Sequence, residues 1–240
     1  MPAVFVHGVP DTALVWRPLL ARLQRKDTIC LSLPGFGNKR PAGFNPDKDS
    51  YARWLVDALK KIGGAIDVVG HDWGALLVTR AVCLAPGLVR SWCVGGAPLD
   101  PDYVWHDTAQ IWQTPGKGEE LMRNFTGEAL AMGLSAQGIP LDQARETAGH
   151  IDDEMKACIL TLYRSAIRVA DDWFAGLKRV TAPGLVLWGE RDPYADQRFG
   201  ERLAANTKAG YETISAGHWY QVEKPDIVAR KLEAFWDGLD

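Results

Sequence analysis

The chain lacks the features that would tie it to nucleic acid, to membranes or to an oxidising compartment. Neither charge sign dominates: 27 Lys and Arg stand against 30 Asp and Glu, a formal net charge of −3 over 240 residues. The basic residues are also scattered, so there is no field to draw in a phosphate backbone or an anionic lipid surface. No nucleic acid and no membrane is therefore expected among the partners. No apolar run approaches the roughly 18 residues that a bilayer span needs. The first residues, Met1-Pro2-Ala3-Val4-Phe5-Val6, show neither the basic region nor the cleavage site of a signal peptide. A cytoplasmic protein is the expectation. Cysteine is scarce, and Cys30, Cys83, Cys93 and Cys158 form no CxxC pair and have no His cluster beside them. They read as reduced, buried, structural thiols, with no metal site and no cofactor expected. The loop Pro34-Gly35-Phe36-Gly37-Asn38 lacks the third glycine and the following helix of a phosphate-binding loop.

What is present is an alternation of short apolar runs with longer helical stretches. Strands are expected over 3–6, 28–31, 66–69, 89–94, 184–188 and 211–214, with helices near 16–24, 51–62 and 75–84. Repeated βα units of this kind predict an α/β protein with a mostly parallel sheet covered by helices on both faces. Between Pro98 and Thr181 no strand-like run occurs, and the stretch reads as helices broken by Gly116, Gly118, Gly127, Gly138 and Pro140. Residues 98–181 are accordingly expected to form a helical cap inserted into a core domain of residues 1–97 and 182–240. Its best-formed helix should span about 151–169, where Met155, Ile159, Leu162 and Ala166 recur at spacings of three and four. Tyr163 flanks that stripe and should point toward the sheet.

The most informative segment is Gly70-His71-Asp72-Trp73-Gly74, between a strand and a helix. Glycines on both sides permit the tight turn that holds a nucleophile exposed at the carboxyl end of a sheet. The residue at its apex is Asp72. An Asp ahead of a helix is ordinarily an N-cap, but this one has company further along. Gly189-Glu190-Arg191-Asp192 follows one strand and Gly217-His218-Trp219 follows another, in the order nucleophile, acid, His. Asp72, Asp192 and His218 are the expected triad, with Glu190 as an alternative acid. Near the amino terminus, His7-Gly8-Val9-Pro10 also follows a strand. The N–H groups of Val9 and Trp73 are the expected oxyanion hole, which makes His7 structural.

Together with Leu33-Pro34-Gly35-Phe36-Gly37, these motifs resemble the α/β-hydrolase superfamily in its epoxide hydrolase and haloalkane dehalogenase branch. The resemblance implies an α/β-hydrolase fold in which Asp72 attacks substrate carbon to form an ester. His218, oriented by Asp192, then activates water to hydrolyse that ester. A carboxylate suits this chemistry, because it attacks an sp³ carbon without first losing a proton. Attack on an acyl carbon would instead give an anhydride, which disfavours ester or peptide hydrolysis. Opening an epoxide produces an alkoxide that needs a proton or a strong hydrogen bond, and tyrosine hydroxyls fit that need. By resemblance Tyr163 is the first proton-donor position and Tyr103 the second, which favours epoxide opening to a vicinal diol. Halide release requires only N–H donors, such as the indole of Trp73 with that of Trp105 or Trp112, so haloalkane dehalogenation is the alternative. A ligand-binding homologue without catalysis is a further one. Trp73, Trp105, Trp112, Phe36 and Trp219 are expected to line a pocket for a small apolar organic substrate and water. In this family two further strands usually precede the one ending in His-Gly. Here the first two strands are expected to be missing, leaving the strand around Thr28-Leu33 as an edge, either covered locally or used in a homodimer.

Overall fold

A computed structural model describes residues 1–239 of the chain. Six strands form one sheet in the order β2-β1-β3-β4-β5-β6, with every neighbouring pair parallel. They are β1 (Ala3–Val6), β2 (Thr28–Leu31), β3 (Asp67–His71), β4 (Ser91–Gly95), β5 (Gly184–Gly189) and β6 (Gly210–Ile214). Helices α1 (Arg17–Leu20), α2 (Lys48–Ile62) and α3 (Trp73–Leu84) precede β4. Six more, α4 (Asp107–Gln113), α5 (Lys117–Asn124), α6 (Gly127–Ala136), α7 (Leu141–Ala148), α8 (Asp153–Ser165) and α9 (Val169–Trp173), lie between β4 and β5. Then come α10 (Arg198–Thr207), α11 (Tyr220–Glu223) and α12 (Pro225–Asp237).

A parallel sheet must be covered on both sides, and the side chains divide accordingly. Val4, Val6, Val68, Val94, Val186 and Trp188 join a core with Leu55 and Leu59 of α2, Leu77 of α3 and Leu203 of α10. The alternate residues Phe5, Val69, Cys93, Leu185, Leu187 and Ile214 join a second core with Leu19 of α1 and Val228, Leu232 and Trp236 of α12. Burying each such Leu, Val or Phe contributes about 1.5–3 kcal/mol. The sheet edge expected at 28–33 is β2. It pairs only with β1, and all four of its residues are half-buried.

Between β4 and β5 the described residues contribute helices and no strand. Gly116 caps α5, Gly127 opens α6, Gly138 lies between α6 and α7, and Pro140 caps α7, so four of the expected breaks are boundaries. Gly118 instead lies inside α5, where a Cβ would crowd Leu160 and Arg164 of α8. The helix expected over 151–169 is shorter. It starts at Asp153 because Asp152 Oδ1 accepts the Met155 N–H at 2.7 Å, and it ends at Ser165, before a turn into α9. The helix expected near 16–24 is one 3-10 turn, Ala13–Trp16, followed by the four residues of α1. No helix among the described residues is long and apolar enough to cross a membrane.

Candidate active site

The candidate site lies at the carboxyl end of the sheet, where open α/β sheets place ligands. Asp72 sits between β3 and α3 with φ 53 and ψ −126, a conformation few non-glycine residues adopt. Glycine is required around it because the backbones nearly touch. A Cβ on Gly74 would overlap the Val6 carbonyl oxygen, and one on Gly8 would overlap Asp72 Oδ1. That packing presses the carboxylate onto the β1 loop. The Val9 N–H donates to Asp72 Oδ1 at 2.7 Å, and Asp72 makes no cap hydrogen bond to its own helix.

The other carboxylate oxygen, Oδ2, is 3.8 Å from His218 Nε2, beyond hydrogen-bond length. His218 Nδ1 is 2.8 Å from Asp192 Oδ2. Asp192 Oδ1 in turn accepts the N–H groups of Tyr194 at 2.8 Å and Ala195 at 3.3 Å. The fully buried acid therefore has three donors, which offsets the cost of removing it from water. Glu190, the alternative acid, is exposed and accepts from the Thr213 hydroxyl instead. Behind His218, the buried His71 donates from Nε2 to the His218 carbonyl at 2.9 Å. His7 donates from Nδ1 to the Gly8 carbonyl and accepts the Leu33 N–H at Nε2, as a structural residue does.

Electrostatics favour a compact charge cluster. Burial pushes the Asp72 carboxyl up, while the His218 charge and the N–H groups of Val9 and Trp73 pull it down. Burial alone would lower His218, but the Asp192, Asp72 and Asp11 carboxylates raise it to about 9. His71 is held well below its ordinary value, first by burial and then by the His218 charge, and stays neutral.

A cavity of about 90 Å³ opens onto these groups. Its walls include Val9, Asp72, Trp73, Tyr103, Trp105, Trp112, Tyr163, His218 and Trp219, all named from sequence as site residues. Tyr163, on α8, contacts the rings of Trp73, Trp105 and Trp112 at 5.4, 5.4 and 4.8 Å. Burial holds its phenol well above the ordinary value, and the Asp72 charge adds to this. Tyr103 also lines the cavity, yet its hydroxyl donates to the Tyr194 carbonyl at 3.2 Å, so its proton is already committed. Phe36 is not in the wall. It is fully buried between His7 and Tyr51, because the Leu33–Gly37 loop turns its ring into the core. The indole nitrogens of Trp73 and Trp112 are buried without a hydrogen-bond partner.

Three residues at this site went unread in the sequence. Tyr194, two residues after Asp192, packs its ring against His218 at 4.9 Å, and its phenol is pushed up to about 12, first by burial. His106 lines the cavity and caps α4 through Nδ1, its pKa lowered to about 4 by burial. Asp11 is buried beside the loop that carries His218, where Oδ2 accepts the Trp219 indole N–H at 2.9 Å. Burial raises its carboxyl to about 7.

Asp11 and His218 make a prediction about stability. A carboxyl raised from 3.8 to about 7 favours the folded state while protonated, so its contribution is full below pH 4 and lost as pH rises through 7. His218, raised from 6.5 to about 9, contributes fully below pH 6.5 and loses that contribution as pH rises through 9. Thermal unfolding should therefore show a melting temperature that falls between pH 5 and pH 9.5. Asp11→Asn should flatten the part below pH 7 and melt higher than the parent at pH 8.

An elbow carboxylate backed by a His-acid pair on successive strand ends is the layout of a hydrolase site. The chain matches the Alpha/beta hydrolase family over residues 3–231 and belongs to that family. It is 24% identical to Epoxide hydrolase A of Mycobacterium tuberculosis, over 99% of this chain and 90% of that protein. It is 19% identical to (E)-2-((N-methylformamido)methylene)succinate hydrolase of Acinetobacter baylyi, over 98% of this chain and 89% of that protein. Among solved structures, haloalkane dehalogenase DbeA from Bradyrhizobium elkani superimposes with a TM-score of 0.81 at 21% identity, covering 99% of this chain and 90% of that one. The chain is thus a hydrolytic enzyme of this fold.

Proposed function

We propose that the enzyme works through an alkyl ester on Asp72, and that its substrate is an epoxide opened to a vicinal diol. The observation that carries this reading is the division of labour between the two Asp72 oxygens. Oδ1 already sits on the Val9 N–H, while Oδ2 is the oxygen nearer His218, 3.8 Å from Nε2, on a residue that lines the cavity. Attack by Oδ2 on a ring carbon leaves Oδ1 as the ester carbonyl oxygen, already in place where charge builds when water adds. No proton has to leave the nucleophile, so a 3.8 Å gap to His218 is no obstacle, whereas a serine there would need its proton taken.

Forming the ester also changes the base. The Asp72 charge helps hold His218 protonated in the free protein, and esterification removes that charge. His218 then falls toward neutrality as its water-activating role begins. The helices between β4 and β5 act in this reading as a cap, and Tyr163 supplies the hydrogen bond that the opening epoxide oxygen needs.

A second reading is favoured by one specific observation, the pair of unpartnered indole N–H groups of Trp73 and Trp112 on the same cavity, which suit a departing halide. Two variants separate the readings. Tyr163→Phe should lower kcat/KM for epoxides about 100-fold and leave any haloalkane reaction within a few-fold. Trp112→Phe should do the reverse. Rates on panels of both substrate types, measured for both variants, decide the matter: loss of haloalkane turnover in Trp112→Phe, with epoxides untouched by Tyr163→Phe, overturns epoxide opening.

A further inference from the structure

Two residues of the cavity wall, His106 and Tyr194, have no part in the chemistry described so far, yet each carries a hydrogen-bond donor there. His106 Nδ1 accepts the Ala109 N–H at 3.3 Å at the start of α4, which places the ring proton on Nε2. Burial first, and then the His218 charge, lower this imidazole to about 4, so it stays neutral. Tyr194 is held by its backbone: its N–H donates to Asp192 Oδ1 at 2.8 Å, and its carbonyl accepts the Tyr103 hydroxyl at 3.2 Å. Its own hydroxyl makes no hydrogen bond with the described residues and keeps its proton, since burial and then the Asp72 charge push the phenol up to about 12. The two rings lie 5.0 Å apart, and that of Tyr194 is 4.9 Å from His218. They form a polar corner beside the reacting groups, in a wall otherwise rich in indoles: Trp73, Trp105, Trp112 and Trp219.

We propose that His106 and Tyr194 determine specificity, their Nε2–H and hydroxyl binding a neutral oxygen acceptor, such as an ether or carbonyl, on the carbon next to the substrate's epoxide ring. This rests on the epoxide reading above and extends it from the ring to its substituent. An apolar substituent would leave both donors without an acceptor once water is expelled, which is costly. An anionic one would meet the Asp72 carboxylate in a cavity that no Lys or Arg lines among the described residues. A neutral acceptor avoids both penalties. The division of labour with Tyr163 is then clear. Tyr163 serves the ring oxygen, which gains charge as the ring opens, whereas His106 and Tyr194 hold an oxygen that does not react. A contact made equally in the bound substrate and the transition state acts through KM and leaves the chemical step alone.

The test compares two epoxides of matched shape, methyl glycidyl ether and propyloxirane, which differ by an ether oxygen in place of a methylene. The readout is the ratio of their kcat/KM values in the parent and in two variants, so that a general fault in the site, which slows both substrates alike, cancels. Tyr194→Phe removes only the hydroxyl and keeps the ring on His218. His106→Asn removes the Nε2–H and keeps a side chain that caps α4. Each variant should lower the ether-to-alkyl ratio about 5-fold or more, chiefly by raising KM for the ether. Intact mass of the His218→Gln protein with each epoxide reports separately whether the ester forms. Ratios unchanged in both variants, or equal slowing of both substrates by Tyr194→Phe, overturn the proposal. If adducts form in the same experiment, the ester reading stands without it. Absence of any adduct with either epoxide overturns both.

Discussion

Replacing Asp72 by alanine should reduce turnover on the enzyme's substrate by about 10⁴-fold or more while leaving the fold in place. The catalytic part of this expectation follows from the site having no substitute nucleophile. Asp192 is fully buried and its oxygens are occupied by three donors, and Asp11 is bonded to Trp219. Groups that act as one unit lose nearly the whole rate enhancement when the nucleophile is removed. The structural part rests on opposing terms. Alanine orphans the Val9 N–H, a cost of about 1–3 kcal/mol. It also removes a buried carboxylate whose pKa is raised, a group that disfavours the folded state when ionised. The two largely cancel, so the melting temperature should move by only a few degrees near pH 7. Asp72→Gly should melt higher than Asp72→Ala, since φ 53 is unstrained only for glycine. Circular dichroism melts beside substrate depletion check both parts. Residual turnover near the parental level in a folded alanine variant would remove Asp72 from the mechanism.

Much of this site was legible because its chemistry is local in sequence. The strand-Gly-x-Asp-x-Gly-helix segment needs tight glycines for backbone contact with β1, and those glycines are visible as letters. The strands were readable because both faces of a parallel sheet are buried, which leaves unbroken apolar runs at 3–6 and 184–188. Strand and helix limits shifted by a few residues where a side-chain cap decides them, as with Asp152 ahead of α8. The helix α10 and the long α12 were passed over, although Pro225 at the first turn of α12 was a usable start signal. What resisted reading was direction. Phe36 beside a glycine-rich loop turns into the core rather than the cavity, and Tyr103 spends its hydroxyl on a carbonyl ninety-one positions away in the chain. Asp11, between Pro10 and Thr12, looks like a turn residue until Trp219 is brought to it by the fold.

Replacing His218 by glutamine should stop the enzyme halfway, and this arrest is the most direct consequence of the geometry. Overall turnover should fall on the order of 10³–10⁴-fold, the scale of a lost general base. The first half-reaction should survive, because Oδ2 of Asp72 needs no proton removed and already stands clear of His218. It should become pH-dependent in a defined direction. The His218 charge lowers the Asp72 carboxyl, so without it Asp72 rises further and alkylation requires a higher pH. Measured at pH 8 with an epoxide, intact mass should show one added substrate mass per chain, mapping to the peptide that carries Asp72. In the unaltered enzyme turning over in ¹⁸O water, label should enter Asp72, while the new hydroxyl of the first product should carry an oxygen from the protein. Glutamine can still donate to Asp192, so the acid keeps a partner and the variant should fold. A folded His218→Gln protein that is inactive yet gains no mass with epoxides or haloalkanes would mean that water attacks substrate directly. Asp72 would then be an electrostatic neighbour of the reaction and not its nucleophile.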